Sequence, residues 1–370
     1  MNFAVTEEQE AVRDLADQIF AGSVDPARVA AVEATDDRFD RELWATLATA
    51  NLLGIAIPEV HGGAGLGMTE VALVLAAQGR SVAPVPLWAT QSAALALVAF
   101  GTPDQQRAWL PGVADGSVVL TVALSGVGVD DPLNPDVVAT PDGDGWRLAG
   151  FRPVVPAAHV AEAVLVPART PDGPAVFLVA TGADGVALER AITTDRSVQP
   201  HLTLRDAPAE RLGDGSVAGE RVLQGVVDRA LIGLCALQLG VCEAAIAQAA
   251  VHLSQREQFG RPLATFQGAQ LRAADTYIDT EAIRVTVWQA AWRLDSGRDA
   301  TDSVLVAKWW ASQGGQRVVH HVQHLHGGLG ADVEYPVHRY FLWGKQIEDT
   351  LGGTSATLAR LGRRLAEAHP

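Results

Sequence analysis

The sequence predicts an α+β protein in which a helical N-terminal domain, a middle β-domain of the barrel or sandwich kind and a C-terminal helical bundle follow one another along 370 residues. Three observations lead to this fold class. Helix start signals with helical apolar spacing precede residue 113, short β-branched runs separated by turn residues follow, and long apolar helical stretches end the chain. The predicted domains are residues 1–112, 113–215 and 216–370.

The N-terminal domain is predicted to consist of helices with recognisable starts. Thr6, followed three residues later by a glutamine, forms a capping box ahead of an apolar stripe. Asp40 and Thr69 are placed to cap the next two helices. Thr102 precedes a proline, which helices accept at their first position, so a fourth helix is expected there.

The middle domain is predicted from six short runs rich in β-branched residues. Turn chemistry separates them, as at 141–145 (Pro-Asp-Gly-Asp-Gly) and 170–173 (Thr-Pro-Asp-Gly). No predicted helix alternates with these strands, which argues against a doubly wound nucleotide-binding sheet. The runs are 117–124, 146–150, 163–167, 175–180, 186–190 and 201–204.

The C-terminal domain is predicted to contain longer helices than the N-terminal one. The expected helices cover about 223–258, 266–294, 301–326, 337–347 and 355–368. Helices that are apolar on most sides need partners nearly all round. A four-helix packing between subunits would provide such partners, so an oligomer is expected.

Composition narrows the possible partners and the location. Apolar residues make up 48% and charged residues 19% of the chain, as in soluble globular proteins. The net charge of −15 argues against nucleic acid, because phosphate binding requires a basic surface. The most apolar stretch, 230–253, is interrupted by polar residues, which favours a core helix over a membrane span. The first residues lack a signal peptide's basic and apolar regions, so a cytoplasmic protein is expected.

The two cysteines, Cys235 and Cys242, are predicted to be buried free thiols. Seven residues apart on a helix, they would lie on nearly the same face. A zinc site would need further ligands nearby, so no metal site is predicted. Such low cysteine use fits a reducing compartment.

Several motifs stand in order along the chain, and together they resemble those of the acyl-CoA dehydrogenase family. The motifs are 57–63 (Ile-Pro-Glu-Val-His-Gly-Gly), 256–260 (Arg-Glu-Gln-Phe-Gly), 266–267 (Phe-Gln), 323–330 (Gln-His-Leu-His-Gly-Gly-Leu-Gly), 335–337 (Tyr-Pro-Val) and 353–354 (Gly-Thr). The resemblance covers essentially the whole chain. It implies an FAD-dependent oxidoreductase that desaturates an acyl-CoA thioester, with an electron-transfer flavoprotein as the electron acceptor.

The same motifs contain groups that suit FAD. A diphosphate is best held by a planar bidentate donor, which Arg256 supplies, and by backbone N–H groups, which the Gly327-Gly328 turn supplies. In the family these residues reach across a dimer interface to the FAD of the neighbouring subunit. Without the motifs, Arg256 would be interpreted as a surface ion pair with Glu257 or Glu243, and the glycines as a helix-ending turn. The resemblance assigns FAD binding to Arg256, Gln258, Phe259, Gln267, Gln323, Gly327, Gly328 and Thr354.

The catalytic base of the family is missing. The reaction removes a proton next to the thioester carbonyl while the flavin accepts a hydride, and a glutamate takes the proton in most members. The matching position here is Gly352, and the position used by a minority of members falls on Ala230. Asp228 and Glu348 are weak candidates for a displaced base, with a solvated helix end as their default interpretation.

The segments that would hold the flavin ring of the same subunit also depart from the family. Residues 122–130 replace its T-E-P-x-A-G-S-D stretch, and residues 152–157 (Arg-Pro-Val-Val-Pro-Ala) replace its K-x-(W/Y)-I-T-N stretch. The hydroxyl and the aromatic ring beside the flavin are thereby lost, and proline lacks a backbone donor. The groups for the chain's own flavin are degraded, whereas those for a neighbour's flavin are intact.

This asymmetry favours a non-catalytic partner of a catalytic acyl-CoA dehydrogenase subunit in a mixed α₂β₂ tetramer. Such a protein would resemble bacterial enzymes that act on CoA esters of steroid side chains. One alternative is a self-sufficient homotetramer with Asp228 or Glu348 as the base. Others are a flavin-dependent monooxygenase of the same fold and a binding or scaffold protein without a redox role. For the monooxygenase the candidate residues are His320, His321, His324 and His326.

Overall fold

The structure, a computed structural model, describes residues 5–127, 131–143 and 145–368. Its first part is helical, as the sequence predicts. The helices there are α1 Glu7–Ser23, α2 Pro26–Glu33, α3 Arg41–Thr49, α4 Met68–Ser81, α5 Leu87–Phe100 and α6 Pro103–Ala114.

Three of the predicted helix caps are confirmed. The side chains of Thr6 and Thr102 each accept the backbone N–H of the glutamine three residues on, and that glutamine returns a bond to the cap, which completes both capping boxes. Asp40 accepts the N–H of Leu43 at 3.0 Å and caps α3. A Ser, Thr or Asp cap of this kind stabilises its helix by roughly 0.5–2 kcal/mol.

The predicted cap at Thr69 is wrong. Helix α4 begins one residue earlier, at Met68, so Thr69 lies inside its first turn. The carboxylate of Glu70 accepts the N–H of Gly67 at 2.8 Å and thereby satisfies the helix start. Glu70 therefore makes the hydrogen bond that the glutamate of a capping box makes, although Gly67 at the cap position has no hydroxyl to return one.

Two helices were not predicted. Helix α5 is apolar nearly all round and follows Pro86 without a side-chain cap, so neither a stripe nor a start signal marks it. Helix α2 does have a signal, since Asp25 accepts the N–H of Arg28 at 2.7 Å and a proline occupies the first helical position.

The middle of the chain forms a barrel of seven strands among the described residues. The sheet order is β1-β4-β2-β3-β7-β5, and because β5 also pairs with β4 the ring closes; β6 pairs with β7. Among the strands that the structure describes, only the pairs of β4 with β1 and β2 are parallel. Strand β2 was not predicted, because most of it is exposed and polar. The strands are β1 Leu120–Val122, β2 Val138–Asp142, β3 Gly145–Arg152, β4 Ala163–Thr170, β5 Gly173–Ala180, β6 Val186–Glu189 and β7 His201–Arg211.

Aliphatic and aromatic side chains fill the barrel. Val164, Val166, Leu148 and Phe177 are 1% exposed or less. The half-buried ring of Trp146 packs on Phe177 with 5.3 Å between ring centroids. Burying each large apolar side chain stabilises the fold by about 1.5–3 kcal/mol, so this cluster positions the loops at the ends of the barrel.

The last part of the chain is again helical, and the predicted helices are confirmed within a few residues. Helix α7 is long and apolar enough to cross a membrane, but 78% of its most apolar window is buried within the protein, which favours a core helix. The elements are α7 Gly219–Gln255, β8 Glu257–Gln258, β9 Arg261–Pro262, α8 Gln267–Asp295, α9 Thr301–His326, α10 Val337–Asp349 and α11 Thr354–Ala368.

Helices α4 and α7 meet at two glycines. A Cβ atom on Gly240 would lie 1.9 Å from the carbonyl oxygen of Ala76, and one on Gly79 would lie 2.2 Å from that of Leu237. Both distances are far below van der Waals contact, so the close approach of the two backbones requires glycine at both positions.

Internal contacts divide the chain into two compact units. One comprises the chain up to Val29, Ala72–Ala83 and the chain from Leu234 onward; the other comprises Ala30–Val71 and Pro84–Gly233. This division cuts across the three expected domains, whose boundaries follow the changes of secondary structure and stay a prediction. The fold class itself is confirmed: helices, then a β-barrel, then helices.

Candidate cofactor site

Arg256 lies where α7 ends and the short hairpin β8–β9 begins. Phe259 and Gly260 form the hairpin turn with φ values of 55° and 75°, the combination that two-residue hairpin loops require. The N–H of Leu263 donates to the carbonyl of Arg256 at 2.8 Å and closes the hairpin. Phe259 is 94% exposed, with its ring centroid 6.3 Å from that of Phe266. The hairpin therefore presents an arginine and a bare aromatic ring.

Two grooves flank this hairpin. The larger, called the Arg256 groove, has a volume of about 550 Å³ and is lined by Ala247, Gln248, Val251, His252, Gln255, Arg256, Leu329 and Tyr335. The smaller, called the Phe266 groove, has a volume of about 310 Å³ and is lined by Leu253, Leu263, Phe266, Gly268, Ala269, Arg272, His324 and Leu325. Neither lining contains a carboxylate, so both grooves offer local positive charge on a chain whose net charge is −15.

The glycine turn after α9 depends on glycine for its conformation. Gly327 has φ 61° and ψ −137°, a region essentially restricted to glycine, whereas a Cβ atom on Gly327 or Gly328 would meet open space. The side-chain amide of Gln323 donates to the carbonyl of Gly330 at 3.3 Å. Gln323 therefore holds the turn in place, and the N–H of Gly327 itself donates to the carbonyl of His324.

The remaining predicted FAD ligands are more scattered. Gln258 is exposed and donates to the carbonyl of Glu257 at 2.7 Å. Gln267 and Thr354 are the first residues of α8 and α11. None of these three predicted ligands lines either groove. Arg256, in contrast, shares its groove with Leu329, the residue directly after the glycine pair.

The alternative interpretation of Arg256 as an ion pair with Glu243 is wrong. Glu243 is instead paired with Arg80 at 2.6 Å and with Arg284 at 2.5 Å. Burial alone would lower the pKa of Arg80, but Glu243 and Asp17 raise it above its usual value. The exposed Arg256 guanidinium therefore stands apart from this ion-pair cluster.

Three of the four clustered histidines, His320, His324 and His326, lie in different surroundings. His320 packs edge-on against Phe341, with 4.9 Å between ring centroids. His324 lines the Phe266 groove, and His326 is buried and stacked on His252. Among the described residues, no group of three or more His, Cys, Asp or Glu side chains is placed to hold a metal ion.

Neither family position for the catalytic base suits a glutamate in this structure. Gly352 has φ 102°, a backbone conformation that residues with a side chain adopt only with strain. Ala230 is 0% exposed, and its carbonyl accepts the indole N–H of Trp88 at 2.8 Å. A glutamate at Ala230 would require room in a closely packed core.

The default interpretation of the two weak candidates for a displaced base, as solvated helix ends, is wrong. Glu348 has 14% of its side chain exposed and forms an ion pair with Lys345. Asp228 is 6% exposed and accepts a hydrogen bond from Gln224 at 2.7 Å. Each carboxylate is thus engaged with a side chain of its own helix.

One of the two segments expected to hold the chain's own flavin ring begins with a buried arginine that is bound to other protein groups. Arg152 is 3% exposed; its guanidinium donates to the carbonyls of Ser125 and Pro167 and pairs with Asp136 at 3.1 Å. Burial lowers the pKa of Arg152, and Asp136 opposes that effect. Residues 128–130, part of the predicted departure at 122–130, lie outside the described residues.

The neighbouring loop is strained. Val154 and Ala157 have φ values of 43° and 50°, which cost a residue with a side chain about 1–3 kcal/mol each. Pro153 and Pro156 have no N–H to offer. This loop therefore lacks the donors that a flavin ring would need, whereas the Arg256 groove provides donors suited to a diphosphate.

Both cysteines are buried and free, as predicted. Burial raises the pKa of Cys235 to about 12 and raises that of Cys242 further. The two thiols are therefore protonated and unreactive near neutral pH.

A flavin-dependent dehydrogenase of the helix–barrel–helix kind is the class that this fold and these grooves define. Two family models match the chain: Acyl-CoA dehydrogenase, N-terminal domain, over residues 6–117, and Acyl-CoA dehydrogenase, C-terminal domain, over residues 217–366. The chain belongs to the acyl-CoA dehydrogenase family. The predicted family is confirmed, and with it the reaction class, oxidation of a CH–CH bond of an acyl-CoA, and FAD as the cofactor of the family.

Several relatives match the chain over its full length. Acyl-CoA dehydrogenase FadE27 of Mycobacterium tuberculosis is 41% identical, with 99% of both chains covered. A solved structure of a Tcur3481-Tcur3483 steroid ACAD variant is 51% identical, with a TM-score of 0.95 and 99% of both chains covered. The ChsE4-ChsE5 complex from Mycobacterium tuberculosis is 41% identical, with a TM-score of 0.93 and the same coverage.

Proposed function

We propose that this chain is the base-lacking subunit of a mixed acyl-CoA dehydrogenase, in which it completes the FAD site of a catalytic partner subunit. The observation that carries the proposal is the backbone at Gly352. Its φ of 102° disfavours any side chain at the position where the family places the base. The second base position, Ala230, is fully buried and equally lacks a carboxylate.

Retention of the adenine and diphosphate end of the cofactor site supports the proposal. The Arg256 groove offers a guanidinium and two side-chain amides. The turn at Gly327 and Gly328 leaves room for a ligand near its backbone, because a Cβ atom at either glycine would meet open space. When FAD is bound, its flavin supplies the hydride acceptor. Arg256 and the Gly327 turn would hold the diphosphate that anchors it.

Loss of the donors for a flavin ring also supports the role of this chain as the non-catalytic subunit. The guanidinium of Arg152 is committed to two carbonyls and a carboxylate of the protein, and two prolines remove donors from the adjacent loop. The partner subunit would therefore supply both the ring site and the base that takes the α-proton. Acyl-CoA would bind where that base lies, on the partner.

An exposed apolar stripe on α8 favours assembly with another chain. Leu271, Ile278 and Val285 are 60%, 61% and 44% exposed and recur every seven residues. That spacing is typical of helices that pack against a partner helix. The N-terminal end of the same helix lines the Phe266 groove, through Gly268, Ala269 and Arg272.

The substrate and the remaining partners follow from the relatives. Two of the matching structures are two-chain complexes, and one of them is a steroid ACAD. We therefore propose an α₂β₂ enzyme that acts on the CoA ester of a steroid side chain. It would pass its electrons to an electron-transfer flavoprotein in the cytoplasm.

The test is the amount of FAD per chain. We expect the chain purified alone to carry little FAD, and the mixed tetramer formed with its catalytic partner to carry one FAD for every two chains. Arg256→Ala should reduce the FAD content of the tetramer, whereas the control Arg298→Ala, an exposed arginine stacked on Trp292, should not. A full complement of FAD and dehydrogenase activity on the chain alone would refute the proposal.

A further inference from the structure

Two histidines stack at the edge of the Arg256 groove. His252 lies on α7, one helical turn before Arg256, and lines the groove. His326 is the last residue of α9. The two rings lie 4.6 Å apart between centroids, with 28° between their planes. The pair therefore places a second titratable group beside the guanidinium that is assigned to the diphosphate.

His326 is buried and held by its own helix. Its Nδ1–H donates to the carbonyl of Val322 at 2.8 Å, and the residue is 4% exposed. Its Nε2 has no hydrogen-bond partner among the described residues. The ring of His326 is therefore fixed in place and offers its face to the ring of His252.

The charged and titratable groups facing His252 are Arg256 on its own helix, His326 on α9 and Tyr335 in the segment before α10. Burial, and then the positive charges possible on His326 and Arg256, lower the pKa of His252. No carboxylate lines the groove to offset them. Without an anionic ligand, His252 is thus held neutral near pH 7, and an anion in the groove would reverse that balance.

We propose that His252 is a second cation for the diphosphate held at Arg256, and that it becomes charged by taking up a proton from solvent when the dinucleotide binds. This inference rests on the proposed function, since it assumes that the groove receives the adenosine diphosphate half of FAD. The proton goes to the imidazole of His252 and returns to solvent when the ligand leaves. Dinucleotide affinity is therefore linked to pH.

Calorimetric titration of the full chain with ADP, in two buffers of different ionisation enthalpy, measures this proton uptake directly. We expect net uptake of a fraction of a proton near pH 7. If the diphosphate raises the pKa of His252 by one unit, ADP binding tightens by about tenfold on going from high to low pH. His252→Gln should lose both the uptake and the pH dependence. The control His320→Gln changes an exposed histidine packed on Phe341 and should behave like the wild type.

A second variant distinguishes loss of the titrating group at position 252 from loss of the ring packed on His326. His252→Tyr retains an aromatic ring on His326 but does not titrate near pH 7, so it should fold normally and lose the uptake as well. ADP binding by the wild type without proton uptake, or uptake that persists in both His252 variants, would overturn the inference and leave the proposed function standing. Absence of ADP binding at every pH would overturn the inference and also the proposed role of the Arg256 groove.

Discussion

Replacement of the buried Lys308 by methionine should remove a specific pH dependence of stability. Lys308 is 0% exposed, and its ammonium donates to the carbonyls of Ile347 at 2.8 Å and Glu348 at 3.1 Å, near the end of α10. Burial lowers its pKa to about 8, although Cys235, Asp349 and Glu348 act in the opposite direction. Methionine has a similar length and no charge.

The size of the effect follows from the two pKa values. Below pH 8 both the native and the unfolded chain bind the proton, and the native state bears the full cost of burying the charge. Between pH 8 and about 10.4 the native state releases the proton while the unfolded chain keeps it, so stability rises with pH. From pH 7 to pH 9.5 this group should add about 2 kcal/mol to the free energy of unfolding.

Urea unfolding at pH 7 and pH 9.5 measures this difference. The wild type should gain about 2 kcal/mol more than Lys308→Met between the two pH values. The raised pKa of Cys235 lowers stability above pH 9, but it does so in both proteins and cancels in the comparison. The matched control is Lys345→Met, on a lysine with 28% of its side chain exposed, which should change stability equally at both pH values.

The same pH dependence in Lys308→Met and the wild type would refute this reasoning. It would mean that the ammonium is solvated or that the unfolded chain perturbs it equally. At pH 7 the variant should be close to the wild type, because relief of the buried charge offsets the loss of two charge-assisted hydrogen bonds, each worth about 1.5–3 kcal/mol.

Three further substitutions have expected outcomes. Gly240→Ala places a Cβ atom 1.9 Å from the carbonyl oxygen of Ala76 and should lower the free energy of unfolding by about 3 kcal/mol in urea; a neutral result would mean that α4 and α7 separate easily. Glu243→Gln breaks ion pairs to two partly buried arginines and should lower the free energy of unfolding by about 2 kcal/mol. An effect that becomes smaller in high salt would mean that the pairs are solvated. Gly327→Ala should lower the free energy of unfolding by about 1–3 kcal/mol and should weaken ADP binding. Unchanged ADP affinity would exclude the turn from the site.

Local signals allowed much of the secondary structure to be predicted from the sequence. The capping boxes at Thr6 and Thr102 were predictable because donor and acceptor lie within one helical turn of each other. The prediction of a cap at Thr69 is wrong because the carboxylate of Glu70, and not a threonine hydroxyl, accepts the backbone N–H at the start of α4. Helix α5 was overlooked because it is buried on nearly all sides, and a helix without a polar face has no periodic pattern.

The sequence by itself determined the family, the donors around Arg256 and the absence of a glutamate at Gly352 and Ala230. Only the tertiary structure decided that Gly352 has a backbone unsuited to a side chain and that Arg152 is committed to protein carbonyls. The same holds for the stack of His252 on His326. Residue identities are local, whereas burial, backbone strain and ring stacking depend on helices and strands that lie far apart in the chain and meet only when it folds.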